Sequence, residues 1–410
     1  MMAEYTVQRL GQLGDGVIDD PMGEIFAPFA LPNERIEGVV EKGRIQMPNI
    51  IEPVADRVKP ACKHFKTCGG CSMQHASDAL LAKWKVAKTA EALSQAGLAP
   101  EFRPIITSPT GSRRRATFAA KRTKKGAMVG FHGRASDTIV EITECPVSDP
   151  ALLAGMDAFN QFARLGASRK SVLRISATTT EHGLDVAIEN GKELSPTEIA
   201  QFAQIASAHK ILRLKWNDDI IAQSHPPSQP MGAANVVPPS GAFLQATATG
   251  EAALVKTVLE IVGSAKRVTD LFAGCGTFTL PIASRAAVHA LESERAMMDA
   301  LDHGWRNAGG LHDVRVETRD LYRRPLMPDE FKKVDAAVID PPRAGAAAQV
   351  AELVKSDVKR IAFVSCNPAT FARDARVLVD GGYSLDWVQV VDQFLWNPHV
   401  ELVAQFTRSK

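Results

Sequence analysis

The C-terminal part of the chain, from about Ala242, alternates strand-like and helix-like segments, and this alternation constrains the fold most strongly. Such alternation is typical of a doubly wound, parallel α/β sheet. The predicted strands span 268–272, 288–291, 314–318, 334–339, 361–365, 384–391 and 401–407. The predicted helices span 249–262, 277–286 and 294–308. We therefore predict a Rossmann-like α/β domain over residues 239–410.

A glycine turn follows the first of these strands, in the sequence Asp270-Leu-Phe272-Ala-Gly274-Cys-Gly276. Glycines let the backbone approach a ligand closely, and a helix N-terminus favours polar groups. The turn has neither the third glycine of a dinucleotide site nor the Gly-Lys-Ser of a phosphate-binding loop. A shorter turn of this kind suits a ligand without phosphates, such as S-adenosylmethionine.

Two carboxylates follow the next two predicted strands in the same register. Glu292 ends the second strand, where such folds place a carboxylate that accepts hydrogen bonds from ribose hydroxyls. Asp320 follows the third strand, where we expect it near the adenine ring. Together with the glycine turn, these residues predict a nucleoside-binding crevice.

Two further motifs follow the fourth and fifth strands: Asp340-Pro-Pro-Arg-Ala-Gly and Ser-Cys366-Asn-Pro. The carboxyl ends of the strands in a doubly wound sheet face one crevice, so both motifs should lie beside the cofactor. Cys366 precedes a predicted helix, whose dipole favours a thiolate. Cys275, by contrast, has the surroundings of a small buried hydrophobic residue.

Glu401 opens the last strand, which runs antiparallel in methyltransferase-type sheets and so starts at the same edge. We therefore expect Glu401 near Cys366, because a charged residue inside an apolar strand needs a role or a partner. A thiolate, a carboxylate and a methyl donor fit methylation at C5 of a pyrimidine. Addition of the thiolate to C6 makes C5 nucleophilic, and a base then removes the C5 proton. Asp340 could accept the N3 hydrogen of uracil, which cytosine lacks.

These motifs resemble, in order, those of the RNA 5-methyluridine methyltransferases that use S-adenosylmethionine, and the resemblance spans nearly the whole chain. Phe243-Leu-Gln245 looks like the family's Phe-x-Gln element, which contacts the cofactor. The resemblance implies that Cys366 is the nucleophile and Glu401 the base. The contact with uracil N3 makes Asp340 a further candidate catalytic residue. The candidate cofactor-binding residues are Gln245, Asp270, Phe272, Gly274, Gly276, Glu292, Asp320 and Asp340. Pro342 stands where many relatives have alanine, and we expect this change to leave the role of Asp340 intact.

Within that family, the chain is most similar to the branch that acts on large-subunit (23S) ribosomal RNA. That branch carries an iron–sulfur cluster and an N-terminal oligonucleotide-binding barrel of the TRAM type. Residues 1–58 show the short apolar stretches and close turn signals of a small β-barrel, although a β-subdomain of no special function accounts for them equally well. We predict an OB/TRAM-like β-barrel (1–58), a mixed α+β central RNA-binding domain (59–238) and the methyltransferase domain (239–410). Within this scheme, 77–96 reads as a helix and the proline-rich stretch 226–239 as a linker.

The cysteines are too sparse for a disulfide scaffold, and three of them cluster as Cys62-x5-Cys68-Gly-Gly-Cys71. A fourth, Cys145, precedes a proline, as cysteines often do in cluster-binding sequences. The resemblance favours a 4Fe–4S cluster bound by these residues. A zinc ion in a four-cysteine site is the alternative, because two-residue spacing also suits zinc. In either case we expect a structural or RNA-positioning role.

A basic run lies between the cysteine cluster and the predicted methyltransferase domain. Such runs are usually solvated faces, but this one includes an aromatic residue and lacks acidic ones, which favours contact with RNA phosphates. The candidate RNA-binding residues are Arg113, Arg114, Arg115, Phe118, Lys121 and Arg122. Since the target base must leave any helical stack to reach Cys366, we expect a flipped-out uridine in a loop.

The formal net charge of +2 over 410 residues says nothing about partners. The N-terminus lacks the basic and apolar regions of a signal peptide, and no apolar run is long enough to cross a bilayer, so we expect a cytoplasmic protein without membrane contact. We also expect it to be a monomer. Methylation of tRNA by the same chemistry is one alternative. Two others are an amino-group methyltransferase, because of the Asp340-Pro-Pro motif, and a non-catalytic RNA-binding assembly factor.

Overall fold

Two small β-sheets form the N-terminal unit of the structure, a computed structural model that describes residues 2–408. Their orders are β1-β5-β8 and β2-β3-β4-β7-β6. The strands are β1 (Ala3–Thr6), β2 (Arg9–Leu10), β3 (Gly16–Asp20), β4 (Gly23–Ala27), β5 (Arg35–Gly38), β6 (Val40–Glu41), β7 (Arg44–Ile45) and β8 (Asn49–Glu52). Alternating apolar residues of both sheets, among them Val7, Ile18 and Ile36, share one core. The predicted strands are present, whereas the OB/TRAM-like barrel stays a prediction.

An irregular segment, residues 53–77, carries three of the cysteines and leads to helix α1 (Asp78–Gln95). Ser77 caps the helix by accepting a hydrogen bond from the Leu80 amide, which confirms the predicted helix start. The buried face of α1 includes Leu81, Lys85 and Leu93, at helical spacing. This face packs on α9 (Pro368–Asp380), β24 (Ser384–Asp392) and β9 (Glu101–Thr107).

A seven-stranded sheet of order β12-β11-β10-β13-β14-β15-β16 forms the middle of the chain. Its strands are β10 (Arg115–Arg122), β11 (Ala127–His132), β12 (Ile139–Glu141), β13 (Leu173–Thr179), β14 (Leu184–Glu189), β15 (Ile211–Trp216) and β16 (Asp219–Gln223). The helices of this part are α2 (Pro150–Ala154), α3 (Met156–Gly166) and α4 (Pro196–Ala208). The aromatic core between sheet and helices includes Phe118, Phe159, Phe162, Phe202 and Trp216. The mixed α+β character predicted for this part is confirmed.

An eight-stranded sheet of order β21-β20-β19-β22-β23-β25-β24-β9 forms the C-terminal part. Its remaining strands are β19 (Arg267–Leu271), β20 (Ala287–Glu292), β21 (Val314–Thr318), β22 (Ala336–Ile339), β23 (Arg360–Ser365) and β25 (Glu401–Thr407). The remaining helices are α5 (Ala248–Val262), α6 (Thr279–Ala283), α7 (Arg295–Arg306) and α8 (Ala347–Leu353), with a short 3₁₀ turn at Pro328–Phe331. Strands β19 to β23 are parallel, and β25 runs antiparallel to both neighbours. The α/β prediction and each of its strands are confirmed.

The structure differs from the sequence predictions in two segments. Helix α1 and strand β9 were expected in the central domain, but β9 pairs in parallel with β24 and so completes the C-terminal sheet. The buried face of α1 needs an apolar partner and finds it on α9 of that same sheet. The expected linker also contains a hairpin, β17 (Gln229–Met231) and β18 (Ala234–Val236), which packs on α7.

None of the helices in residues 2–408 combines the length and the apolar composition that a bilayer span requires.

Candidate active site

The glycine turn after β19 has the backbone that its sequence predicts. Gly274 and Gly276 have φ angles of +56° and +99°, a region that side chains disfavour. A Cβ at Gly276 would lie 2.9 Å from Leu301 of α7, so this glycine permits close packing of the turn. At Gly274 a Cβ would meet open space, and its amide donates to Glu292 Oε2 at 3.2 Å. The turn therefore presents bare backbone beside a carboxylate.

Asp270 is a buried acid in β19, directly before this turn. Its Oδ2 accepts a hydrogen bond from Thr279 Oγ1 at 2.6 Å, whereas Oδ1 has no partner among the described residues. Burial raises the pKa of Asp270 to about 7, against the opposing hydrogen bond from Thr279. Buried acceptors are nearly always satisfied, so a free one marks a place that a ligand's donor would complete.

Glu292 and Asp320 lie at the ends of the two strands beyond β19, as predicted. Glu292 Oε1 accepts from the Ser293 amide at 2.6 Å and from Ser293 Oγ at 2.8 Å, which fixes the carboxylate at the strand end. Asp320 Oδ1 accepts from the Tyr322 amide at 2.9 Å. The Tyr322 ring packs 5.6 Å from the ring of Phe272, so an aromatic pair joins Asp320 to the glycine turn. Tyr322 was missed from the sequence.

Asp340 follows β22 and belongs to the same cluster of acids. Gln245 Nε2 donates to Asp340 Oδ2 at 3.5 Å, which brings the Phe-x-Gln element to this strand end. Burial raises the pKa of Asp340 to about 7, and the charges of Asp270 and Glu292 add to the effect. These carboxyl groups thus form a site that favours a cationic or hydrogen-bond-donating ligand.

Cys366 follows β23 and comes just before α9, whose first turn is capped by Asn367. Burial raises the pKa of the Cys366 thiol to about 11, and the charges of Glu401 and Asp340 contribute in the same direction. Arg343 opposes this shift. The helix dipole expected from the sequence favours a thiolate at Cys366, whereas burial and two nearby carboxyl groups raise its pKa and favour the thiol.

Glu401 is the first residue of β25, and the antiparallel register brings it to Cys366. Ser365 pairs with Leu402, so Cys366 and Glu401 lie one residue beyond this pair on their two strands. Glu401 is only 3% exposed. Burial raises the pKa of its carboxyl group well above the ordinary value, and the charge of Asp340 adds to the effect. The predicted juxtaposition is thus present in the fold.

Gln393 links these groups, and sequence reasoning missed it. Its Nε2 donates to Gln245 Oε1 at 2.6 Å and to Glu401 Oε2 at 3.2 Å. A polar residue directly after the buried strand β24 is the same signal that singled out Glu401. That signal could have identified Gln393 from the sequence.

A cavity of about 780 Å³ opens beside Cys366, between the N-terminal unit, α1 and the C-terminal strand ends. Its lining includes Arg9, Gln12, Arg44, Lys88, Arg343, Cys366 and His399. Burial, then the cations Arg343, Lys88, Lys85 and Arg113, lower the pKa of His399 to about 4. Three acids, Asp15, Glu24 and Glu91, also line this cavity, and Arg44 pairs with Asp15 and Arg9 with Glu24.

A second cavity, of about 400 Å³, lies on the other side of His399 and is lined by Cys62, Cys68, Cys71 and Cys145. The four predicted metal ligands are thus brought together, and all are free thiols. Burial raises the pKa of Cys71 to about 12. Within residues 2–408, no three or more His, Cys, Asp or Glu side chains are placed to hold a metal ion.

The predicted RNA-binding strip is corrected by the structure. Phe118 is fully buried and packs 4.9 Å from the Phe131 ring in the core of the middle sheet. Arg114 is buried in an ion pair with Glu251 at 2.5 Å, so neither residue can meet a phosphate. The side chains of a strand alternate between its faces, and the basic run continues through β10.

The two arginines that flank Arg114 are held by backbone carbonyls. Arg113 Nε donates to the Arg115 carbonyl at 3.2 Å, and Arg115 Nη1 donates to the Leu244 carbonyl at 2.7 Å. Lys121 and Arg122, at the far end of β10, remain exposed. These last two are the members of the strip that solvent, and hence RNA, can reach freely.

The sequence model of the tRNA (Uracil-5-)-methyltransferase family matches residues 310–408. An uncharacterized RNA methyltransferase of Rhizobium meliloti is 44% identical, over 97% of this chain and 98% of its own. The 23S rRNA (uracil(1939)-C(5))-methyltransferase RlmD of Chromohalobacter salexigens is 32% identical, over 98% of this chain and 89% of its own. Among solved structures, the Pyrococcus abyssi tRNA (uracil-54, C5)-methyltransferase, bound to S-adenosyl-L-homocysteine, matches with a TM-score of 0.76 at 23% identity. That match covers 98% of this chain and 99% of the other.

The solved structure shares the fold of this chain, and the relatives share its sequence over nearly its full length. The strand-end acids, the glycine turn and the Cys366–Glu401 pair lie within that shared length. The chain belongs to the RNA uracil-5-methyltransferase family.

Proposed function

We propose that this protein methylates C5 of a uridine in large-subunit ribosomal RNA, with S-adenosylmethionine as methyl donor and Cys366 as nucleophile. The observation that carries this proposal is the antiparallel pairing of β23 with β25. It brings the Cys366 thiol and the buried Glu401 carboxyl group to the same edge of the sheet. Amino-group methylation needs no thiol, so this pair favours carbon methylation.

The first step is attack by Cys366 on C6 of the uracil. The thiol gives its proton to water in the cleft, and Arg343 favours the resulting thiolate. The new S–C6 bond moves the C5–C6 π electrons to C5 and O4 as an enolate. Because burial and two carboxyl groups favour the protonated thiol, the positive sulfonium of bound S-adenosylmethionine would help to form the thiolate.

The second step forms the C5–methyl bond and then restores the ring. S-adenosylmethionine, when bound, would supply an electrophilic methyl group: as C5 takes the methyl, the bond to the sulfonium sulfur breaks and S-adenosylhomocysteine leaves. Glu401 accepts the C5 proton, the electrons re-form the C5–C6 double bond, and the S–C6 bond breaks to release Cys366. The raised pKa of Glu401 fits a carboxylate that must take a proton from carbon.

Asp340 provides the base selectivity in this proposal. A carboxylate oxygen accepts the N3–H of uracil, whereas cytosine presents an unprotonated N3 and would leave the acceptor unsatisfied. Gln245 bonds to the same carboxyl group and orients it. The site therefore rejects cytosine by leaving a buried acceptor unpaired.

The glycine-turn crevice fits the cofactor. Asp270 offers a buried acceptor without a partner, and Gly274 leaves open space where any other residue would place a Cβ. Glu292 is held at the strand end, where a ribose would meet it. The residues that we assign to this site are Gln245, Asp270, Phe272, Gly274, Gly276, Glu292, Asp320 and Asp340.

We propose that the second cavity holds an iron–sulfur cluster, and a zinc ion in a four-cysteine site is the alternative. Four cysteines line this cavity, and four thiolates are the ligand set of either group. A four-iron cluster spreads its cysteine ligands over separate corners, so it needs a cavity such as the one lined by Cys62, Cys68, Cys71 and Cys145. When bound, such a cluster would tie the segment 62–71 to residue 145.

The RNA would approach through the 780 Å³ cavity, with a flipped-out uridine reaching Cys366. Arg44, Lys88 and Arg343 line this cavity and can contact phosphates. The two-sheet N-terminal unit, which we propose to be an OB/TRAM-like module, forms one wall. Lys121 and Arg122 would add a more distant contact. The protein would act as a monomer in the cytoplasm.

The experiment is to incubate the protein with methyl-labelled S-adenosylmethionine and, separately, in vitro transcribed large-subunit rRNA and tRNA. Nucleosides are then resolved by mass spectrometry. We expect label in 5-methyluridine from rRNA with wild-type protein and none with Cys366→Ala. Label from tRNA alone would keep the chemistry and overturn the substrate. Label in a base amino group would overturn the mechanism.

A further inference from the structure

Gln393 directly follows β24, and each hydrogen-bonding group of its side-chain amide has a partner. Its Oε1 accepts hydrogen bonds from the backbone amides of Ala246 at 2.9 Å and Thr247 at 3.4 Å. Its Nε2 donates to Gln245 Oε1 and to Glu401 Oε2. The side chain is 2% exposed, so water does not compete for these bonds.

The orientation of this amide follows from its partners. Backbone N–H groups can only donate, so they must face the carbonyl oxygen of Gln393, and the NH₂ group must face Glu401. Glu401 has no other hydrogen-bonding side chain among residues 2–408. The carboxyl group therefore depends on one donor with a fixed direction.

We propose that Gln393 is a positioning residue for the reaction: it holds Glu401 and Gln245 in one hydrogen-bonded unit, so that the proton acceptor keeps its place relative to the cofactor site. This inference rests on the proposed function, in which Glu401 takes the C5 proton. Asp340 extends the unit, because Gln245 donates to it. One chain of hydrogen bonds thus joins the acid that faces uracil N3 to the acid that faces C5.

The charges around Glu401 show why a donor is needed. Asp340 faces it from the end of β22 and the Cys366 thiol from the end of β23, and Arg343 acts on Cys366. Burial first, and then the charge of Asp340, disfavour a carboxylate at Glu401, whereas the NH₂ group of Gln393 favours it. Without that donor, Glu401 would hold its proton to higher pH and so could not accept another.

The backbone at Gln393 is anchored by a buried ion pair from the N-terminal half of the chain. Lys85 Nζ of α1 donates to Asp392 Oδ1 at 2.5 Å and to the Phe394 carbonyl at 3.0 Å. Lys85 is fully buried. The residues on both sides of Gln393 are therefore fixed, which leaves its amide little freedom to lose contact with Glu401.

The test compares Gln393→Met with Gln389→Met. Gln389 is also buried in β24, and it bonds Thr257 and the Pro104 carbonyl away from the site. With rRNA transcript and S-adenosylmethionine, we expect Gln393→Met to lower turnover by about 10- to 100-fold and to accumulate a denaturant-stable protein–RNA adduct. The acid limb of the pH–rate profile should move to higher pH. Gln389→Met should keep turnover within about twofold.

Wild-type turnover in Gln393→Met, or a loss equal at every pH with no adduct, would overturn the proposal. If that variant does not fold, Gln393→Asn decides, because it keeps an uncharged amide but is too short by one methylene to hold Glu401 and Gln245 together. Thermal unfolding and S-adenosylmethionine binding report on folding. Glu401→Gln is run in parallel: if it turns over normally, the proposed function has failed rather than the role of Gln393.

Discussion

The two cavities on either side of His399 are built in different ways. The cavity beside Cys366 is lined by residues that follow β23 and precede β25. Asp340 and Glu401 lie at strand ends of the same sheet. The cysteine cavity is lined by irregular segments around residues 62–71 and 145–148. The hydrogen bonds and packing of a sheet can hold carboxyl groups close together despite their repulsion. Irregular segments lack this support, so they depend on additional links such as a bound metal cluster.

The two regions are joined by hydrogen bonds between loops. The Ser72 and Met73 amides donate to the Trp396 carbonyl at 3.0 and 3.1 Å, and Asn397 Nδ2 donates to the Gly70 carbonyl at 3.2 Å. The segment that holds Trp396 leads directly into Glu401. Damage to the cysteine segment should therefore reach the Glu401 carboxyl group through one short loop.

The largest effect expected is that of Cys366→Ala compared with Cys275→Ala. Loss of the nucleophile should lower methylation of rRNA by roughly 10⁴-fold or more, because no other group replaces the S–C6 bond. Cys275 is buried in an apolar cluster, so its loss should lower stability by about 1–2 kcal/mol and leave chemistry intact. Single-turnover assays and thermal unfolding separate the two, and equal activity losses would contradict the assignment.

Next in size is Glu401→Gln, which keeps the shape but cannot accept the C5 proton. Turnover should fall by about 10²- to 10⁴-fold, while attack by Cys366 still proceeds. The methylated adduct should then persist under denaturing conditions, and its fraction on a gel is the measurement. A variant that is slow without any adduct would mean that Glu401 acts before methyl transfer.

In the cysteine cavity, Cys145→Ser should remove one ligand of the proposed cluster. We expect loss of iron and sulfide, a fall in Tm of about 5 °C or more, and a fall in turnover of roughly tenfold through the Trp396 loop. Affinity for S-adenosylmethionine should stay within about twofold, because its site lies at other strand ends. Zinc in place of iron in the purified protein would contradict the cluster.

The cofactor site should show its own pH dependence. Burial raises the pKa of Asp270 and of Asp340 to about 7, so both are largely protonated below that pH. Since a cationic ligand favours carboxylates, affinity for S-adenosylmethionine should fall about three- to tenfold from pH 8 to pH 6. Calorimetry at both values measures it, and an affinity that rises on acidification would contradict the sign.

The smallest effect is expected at the basic strip. Lys121→Ala with Arg122→Ala should weaken RNA binding a few-fold and reduce the slope of log affinity against log salt by about 1–2. Phe118→Ala should cost about 3–5 kcal/mol of stability without changing that slope. Filter binding at several salt concentrations makes the comparison, and an unchanged slope in the double variant would exclude a phosphate contact there.

The strand-end groups could be predicted because a parallel sheet has one rule: its carboxyl ends share an edge. That rule, with one antiparallel strand, brought Asp340, Cys366 and Glu401 together from sequence positions far apart. It also predicted the locations of Glu292 and Asp320. Which charge state Cys366 adopts could not be predicted, because it depends on distances to two carboxyl groups that only the fold fixes.

The errors came from contacts between distant segments. Strand β9 pairs with β24, and Arg114 forms an ion pair with Glu251. Both contacts join residues more than a hundred positions apart, so no local sequence pattern predicts them. Phe118 was misjudged for a local reason. The alternation of side chains along β10 already predicts that Phe118 faces the core, but the neighbouring cations suggested a solvent-exposed position.

The most direct test of the central claim uses rRNA transcript containing 5-fluorouridine. Fluorine at C5 cannot leave as a proton does, so methyl transfer should stop at the covalent adduct. With S-adenosylmethionine present, we expect a denaturant-stable complex, and peptide mass spectrometry should locate the nucleotide on Cys366. Absence of the complex under conditions in which ordinary transcript is methylated, or a linkage to another cysteine, would contradict the account.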